Sequence, residues 1–168
     1  LRDSYVYIDG HGKSKITEAY TYGGPLLAIK TLNQNFNLDI KEYITVDFKG
    51  LSKIVDALGG IDIEIKRNEI KEINKWTKEL AQLQNVNATY VTKSGIQHLN
   101  GIQAVAYSRI RNLGSGEFER TARQRKVLSA LFDKIKKIDI TSFTSFVWKL
   151  TPYVSTNIST NDILVLGS

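Results

Sequence analysis

Five of the seven arginines in this chain fall within seventeen residues: Arg109, Arg111, Arg120, Arg123 and Arg125. The sixteen lysines are spread along the whole chain. A guanidinium is planar and permanently charged, and its rigid fork of donors fits two phosphate oxygens at once. Arginine concentrated without lysine is the pattern of a shaped anion site. Arg120, Arg123 and Gln124 are spaced i, i+3, i+4 and share one face of a helix. That helix would begin just after the glycine-bearing stretch 112–116. Helix N-termini attract anions through free backbone N–H groups and aligned peptide dipoles. If residues 112–116 fold back, Arg109 and Arg111 converge with Arg120, Arg123 and Gln124 on one point. Each charge-assisted bond to a phosphate then contributes on the order of 1.5–3 kcal/mol. The competing reading is a basic helix face in water; a further one has Glu117 and Glu119 neutralise the cluster from within. Arg125 and Lys126 point away from the Arg120 face and belong to solvent.

The elements that must position these residues follow from periodicity. Tyr5 to Ile8 alternate weakly as a strand, and Asp9-Gly10-His11-Gly12 is a turn by composition. A short helix over 16–22 should stop at Gly23-Gly24, and Pro25 then fits a first helical position. Ile44, Val46 and Phe48 alternate as a half-buried strand. Leu51, Ile54, Val55 and Leu58 follow at helical spacing, and Ile61, Ile63 and Ile65 alternate again after Gly59-Gly60. Strand, helix and strand in so few residues usually place parallel strands under a crossover helix. Helices are expected over 70–83, from the Asn100 cap to Arg109, over 119–138, and behind Thr141. Residues 86–95 read as a polar connection with room for one short strand. The expected fold is α/β: one α-β-α layered domain over 1–168, its central mixed sheet flanked by helices.

At 168 residues, 42% hydrophobic and 24% charged, the chain can bury a proper core. Its net charge of +6 favours an anionic partner. Cysteine is absent, which excludes disulfides and cysteine–metal sites. Methionine is absent too, including at position 1, so a longer gene product is expected. No apolar run approaches the roughly 18 residues of a membrane span. Nucleic-acid binding finds no stacking or helix-turn-helix motif. His11 and His98 have no partner at metal-ligand spacing; His98 reads as a packing or capping residue. Gly59-Gly60 lacks a following Gly-Lys-Ser/Thr and reads as a helix stop. Asp56 reads as a structural polar contact, and Phe143, Phe146 and Trp148 as core or as the lining of a lipid tunnel.

The stretch Leu99-Asn100-Gly101-Ile102-Gln103-Ala104-Val105-Ala106-Tyr107-Ser108-Arg109-Ile110-Arg111 resembles the "LNGxQALxYxRxR" signature of the LytR-CpsA-Psr family. Arg120-Thr121-Ala122-Arg123-Gln124 through Leu128 is similar to the family's "RxxRQxxVL" helix. Asp56-Ala57-Leu58-Gly59-Gly60 resembles its "DALGGVxV" turn, and Arg2-Asp3-Ser4-Tyr5-Val6 its "PRDxYV" strand. Lys15-Ile16 through Ala19-Tyr20 to Gly23-Gly24 is similar to "KINxAYxxGG". Five motifs in order cover nearly the whole chain.

The resemblance implies a phosphotransferase on the extracytoplasmic face of the bacterial cell membrane. Such an enzyme moves a teichoic acid- or capsule-like glycopolymer from a polyprenyl-pyrophosphate carrier to peptidoglycan. It implies that Arg2, Arg109, Arg111, Arg120 and Gln124, with Arg123 in the second rank, hold the pyrophosphate, and that the polyprenyl tail enters an apolar tunnel. It also implies a divalent cation, magnesium, whose aspartates would lie before Leu1 together with the membrane anchor and first strands. This chain would then hold no metal ligand of its own. Asp3 is the candidate catalytic group, orienting Arg2 or taking the hydroxyl proton; capping a turn is its other reading. The alternative function is a non-catalytic module binding polyprenyl phosphate or anionic glycan.

Overall fold

The computed structural model describes residues 3–111, 113, 114, 117–159, 162 and 163, without the side chains of Glu117 and Ile140. These residues gather into two compact units, one built from Leu1–Thr45 with Ser155–Ile163 and the other centred on Val46–Val154.

In the first unit, β1 (Tyr5–Ile8) pairs antiparallel with β2 (Gly12–Lys15). Gly10 and Gly12 take the positive φ values the connecting turn requires. Alternation puts Val6 and Ile8 inside and Tyr5 and Tyr7 outside. Helix α1 (Ile16–Phe36) packs on this hairpin, adding Ile16 and Ala19 to its small core. The break expected at Gly23-Gly24 is there: Gly24 has φ 64° and ψ −158°, and Pro25 restarts the helix. Strand β3 is only Ile44–Thr45, pairing antiparallel with β6 (Ser155–Thr156). The strand expected to run to Phe48 stops short. Asp47 leaves it to cap the next helix, its carboxylate accepting from Gly50 N at 2.6 Å.

In the second unit, α2 (Phe48–Ala57) leads to β4 (Ile61–Ile65), which alternates between inside and outside as expected. The parallel pairing anticipated around α2 is not found. Strand β4 pairs antiparallel with β5 (Gly95–Leu99), and the described sheets are three antiparallel pairs. The α/β class stands. The pairing was missed because β5 buries little except Leu99 and so carries almost no alternation. Helices α3 (Ile70–Leu83), α4 (Gly101–Arg109), α5 (Glu117–Ile135) and α6 (Ile140–Leu150) follow near their expected limits. Asp139 caps α6, its carboxylate accepting from Thr141 N and Ser142 N. Phe146 is buried while Trp148 faces solvent, so α6 supplies ordinary core with one exposed ring.

Helix α4 is the centre of this unit. Ala104, Val105, Ala106 and Tyr107 are at most 1% exposed and join a core with Ile61, Ile65, Ile73, Leu99 and Val127. Its first residue touches α2: a Cβ on Gly101 would stand 1.9 Å from the Ser52 carbonyl oxygen. Asp56 Oδ1 accepts from Gly101 N at 2.7 Å, closing the same contact and confirming the structural reading of Asp56. Asn100 and Gln103 form a reciprocal capping box at 2.9 and 3.0 Å. Helix α4 is therefore seated at a fixed place, with Arg109 as its last residue.

Candidate anion-binding site

Arg109 ends α4, where a cation complements the partial negative charge of the helix C-terminus. Its guanidinium carbon lies 4.4 Å from the centroid of the Trp76 ring and 5.2 Å from that of Phe48. Rings at these distances attract the cation without taking up its N–H donors. Arg111, two residues on, is exposed. Between them, Ile110 is fully buried and its carbonyl accepts from Arg123 Nη1 at 3.3 Å.

Helix α5 carries Arg120, Arg123 and Gln124 on one face, as their spacing requires. Arg120 and Arg123 are each 4% exposed and Gln124 is half-buried. Arg125 and Lys126 face solvent. Arg123 donates from Nε to Glu69 Oε1 at 2.8 Å and from Nη2 to Glu119 Oε2 at 2.6 Å. Glu119 thus neutralises part of the cluster from within, the alternative left open by the sequence. Gly114 lies against Glu119, where a Cβ would stand 2.1 Å from Oε1.

Tyr107 lies close to these charges; burial pushes its phenol up to about 12, and the Glu69 carboxylate adds to the effect. The site therefore joins the end of α4 to the first turns of α5 through the Arg123–Ile110 contact. Arg109, Arg120 and Gln124 are withdrawn from bulk water to different degrees, and Arg111 is open to it.

The other expected site residues sit elsewhere. Arg2 lies outside the described residues. Asp3 belongs to the first unit, is exposed, and has its carboxylate 3.8 Å from Lys15 Nζ. A surface depression at the end of α3 is lined by Ala81, Gln82, Asn85, Val86 and Asn87, with none of the arginines in its wall. Among the described residues no three acidic or histidine side chains gather as a metal site. Nor is any described helix long and apolar enough to cross a membrane.

Sequence reasoning missed Phe48, Trp76 and Glu69 as partners of the arginines. Trp76 on the edge of α3 was visible as an aromatic at a helix margin. Nothing in the sequence links Glu69 to a residue 54 positions away.

Helices α4 and α5 thus pack in an α/β domain that buries two guanidiniums, Arg120 and Arg123. The chain belongs to the LytR_cpsA_psr family, whose model matches residues 1–168. The regulatory protein MsrR of Staphylococcus aureus is 32% identical over 170 residues, covering 99% of this chain and 47% of that protein. The polyisoprenyl-teichoic acid–peptidoglycan teichoic acid transferase TagT of Bacillus subtilis is 32% identical over 167 residues, 98% of this chain and 49% of the relative. The solved structure of TagT with bound octaprenyl pyrophosphate lipid aligns at TM-score 0.73 and 30% identity, over 99% of this chain and 57% of that one. The chain spans about half the length of the curated relatives it matches.

Proposed function

We propose that this chain binds the pyrophosphate of a polyprenyl-linked glycopolymer and serves its transfer, as a phosphotransferase, to peptidoglycan. The observation that carries the reading is the junction at Ile110. It places the Arg109–Arg111 segment against the helix face bearing buried Arg120 and Gln124. TagT, named as a teichoic acid transferase and solved with octaprenyl pyrophosphate, supports it.

In this reading Arg109, Arg111 and Arg120 donate to the phosphate oxygens and Gln124 donates through its amide. Arg2 and Asp3 stand as further candidates at the N-terminal end. The guanidiniums neutralise charge as a wall-sugar hydroxyl attacks the sugar-linked phosphorus in line and polyprenyl phosphate leaves. The polyprenyl tail occupies an apolar channel beside the head group. The site works at the outer face of the bacterial cell membrane, where carrier and wall meet. The expected magnesium finds no set of ligands among the described residues, so no step is assigned to it. Transfer assayed with added magnesium and with a chelator decides its part.

The test is binding of octaprenyl pyrophosphate in detergent, with Arg120→Ala and Gln124→Ala. Each variant should lose affinity by roughly tenfold or more, the size of a lost charge-assisted or tightly held hydrogen bond, while staying folded. Undiminished binding by both would show the site to be misassigned. Binding without transfer, in a chain supplied with acceptor wall and magnesium, would select the non-catalytic module.

A further inference from the structure

We propose that Arg123 and Glu69 are positioning residues: they lock residues 109–111 to the Arg120–Gln124 face of α5 and do not themselves contact phosphate. The inference rests on the pyrophosphate reading above and assigns Arg123 a different part in it.

All three guanidinium nitrogens of Arg123 are engaged. Nε donates to Glu69, Nη2 to Glu119 and Nη1 to the Ile110 carbonyl. A phosphate approaching this group would meet two carboxylates already in place. Both side chains of the Arg123–Glu69 pair are only 4% exposed, which leaves little room for a third partner.

Glu69 is itself anchored. Its second oxygen, Oε2, accepts from Lys66 N at 2.9 Å, in the short turn Arg67–Glu69 that opens α3. Its own N–H donates to the Lys66 carbonyl at 2.9 Å. The pair therefore ties α5 to the start of α3, and its third donor reaches the one backbone carbonyl between Arg109 and Arg111. On α5, Arg120 lies three residues before Arg123 and Gln124 one after it. A single guanidinium thus sets the separation between the two halves of the candidate site. Loss of the grip on Ile110 should also unseat Arg109 from the Trp76 ring.

Charge sign separates positioning from direct binding. Glu69 is an anion beside an anion site, so removing its charge should by Coulomb's law tighten phosphate binding. If Arg123 were a ligand held in check by Glu69, Glu69→Gln would free it and raise affinity. If the pair positions the site, Glu69→Gln weakens binding in spite of the favourable charge change.

The experiment measures inorganic pyrophosphate affinity by calorimetry and Trp76 emission in a Trp148→Phe background, which leaves one tryptophan. The variants are Glu69→Gln, Arg123→Lys, Arg123→Met and the apolar double variant Glu69→Leu/Arg123→Met. The double variant leaves no uncompensated buried charge and keeps the test open if a single variant fails to fold. Glu69→Gln and Arg123→Met should weaken binding roughly tenfold, the order of one charge-assisted hydrogen bond to phosphate put out of line. Trp76 emission should shift with them, and Arg123→Lys should recover part of both.

Unchanged or tighter binding in Glu69→Gln, or unchanged Trp76 emission in folded Arg123→Met and double variants, overturns the proposal. If wild-type protein does not bind pyrophosphate, or Arg120→Ala binds it equally well, the pyrophosphate reading fails instead. The emission shift still decides whether the pair seats Arg109.

Discussion

The guanidiniums near the end of α4 are handled in different ways. Arg123 is engaged through all three nitrogens by two carboxylates and a carbonyl, Arg109 sits within cation–π distance of two rings, and Arg111 is exposed. A carboxylate partner competes with phosphate for the same donors, whereas an aromatic face does not. Trp76→Leu should therefore weaken pyrophosphate binding through misplacement of Arg109, by about 0.5–2 kcal/mol, the range of a cation–π contact; calorimetric titration checks it. His98 shows the same logic on the surface. Its two ring nitrogens each stand 2.7 Å from an oxygen, Asp62 Oδ1 and the Gly59 carbonyl, and only the doubly protonated ring donates to both. The Asp62 bond chiefly raises its pKa above 6.5, helped by Gly59 and opposed by desolvation and Lys134; Asp62 is lowered below 3.8 by the same bond. His98's contribution to stability is present below its unfolded pKa and lost as pH rises through the raised value. Asp62's is present above its unfolded pKa and lost as pH falls through the lowered one. An imidazole NMR titration should give a midpoint above 6.5 that drops on Asp62→Asn; no drop would reject the bond.

At the scale of elements, the residues that carry the family likeness divide into those that hold α4 and those proposed to meet the phosphate. Asn100, Gly101 and Gln103 cap and seat the helix, Asp56 binds its first N–H, and Gly59-Gly60 turn the chain with φ of 74° and 92°. A Cβ on Gly60 would stand 2.4 Å from His98 Nε2, so that glycine also makes room for the His98 clasp. Asn100→Ala should cost about 1 kcal/mol, the usual loss of an N-cap. Gly101→Ala should cost about 1–3 kcal/mol, because backbone and not a flexible side chain blocks the new methyl. Urea denaturation with an unchanged m-value measures both. A neutral Gly101→Ala would mean that α2 and α4 do not approach as described.

At the scale of the molecule, the two units differ in how much apolar surface they bury. The first has a core of Val6, Ile8, Ile16 and Ala19, while the second gathers core residues from β4, β5 and α2–α5. Local opening is easiest where few apolar side chains are buried. Amides of Val6 and Ile8 should exchange with deuterium faster than those of Ile63, Leu99 and Val105. Equal protection across both sets, read by hydrogen-exchange mass spectrometry, would mean that they open together.

Local pattern was enough to give the α/β class, most helix limits, the break at Gly23-Gly24 and the face shared by Arg120, Arg123 and Gln124. Each of these depends on residues within a turn or two of one another, where spacing alone sets geometry. Packing decided which guanidinium is closed off and which is open. Glu69 reaches Arg123, and Trp76 and Phe48 reach Arg109, only after α2, α3 and α5 have closed around α4. The pairing of β4 with β5 was settled the same way, since a strand with one buried residue leaves no period to read. Periodicity records which face of an element is apolar; it carries no record of which distant element will cover that face.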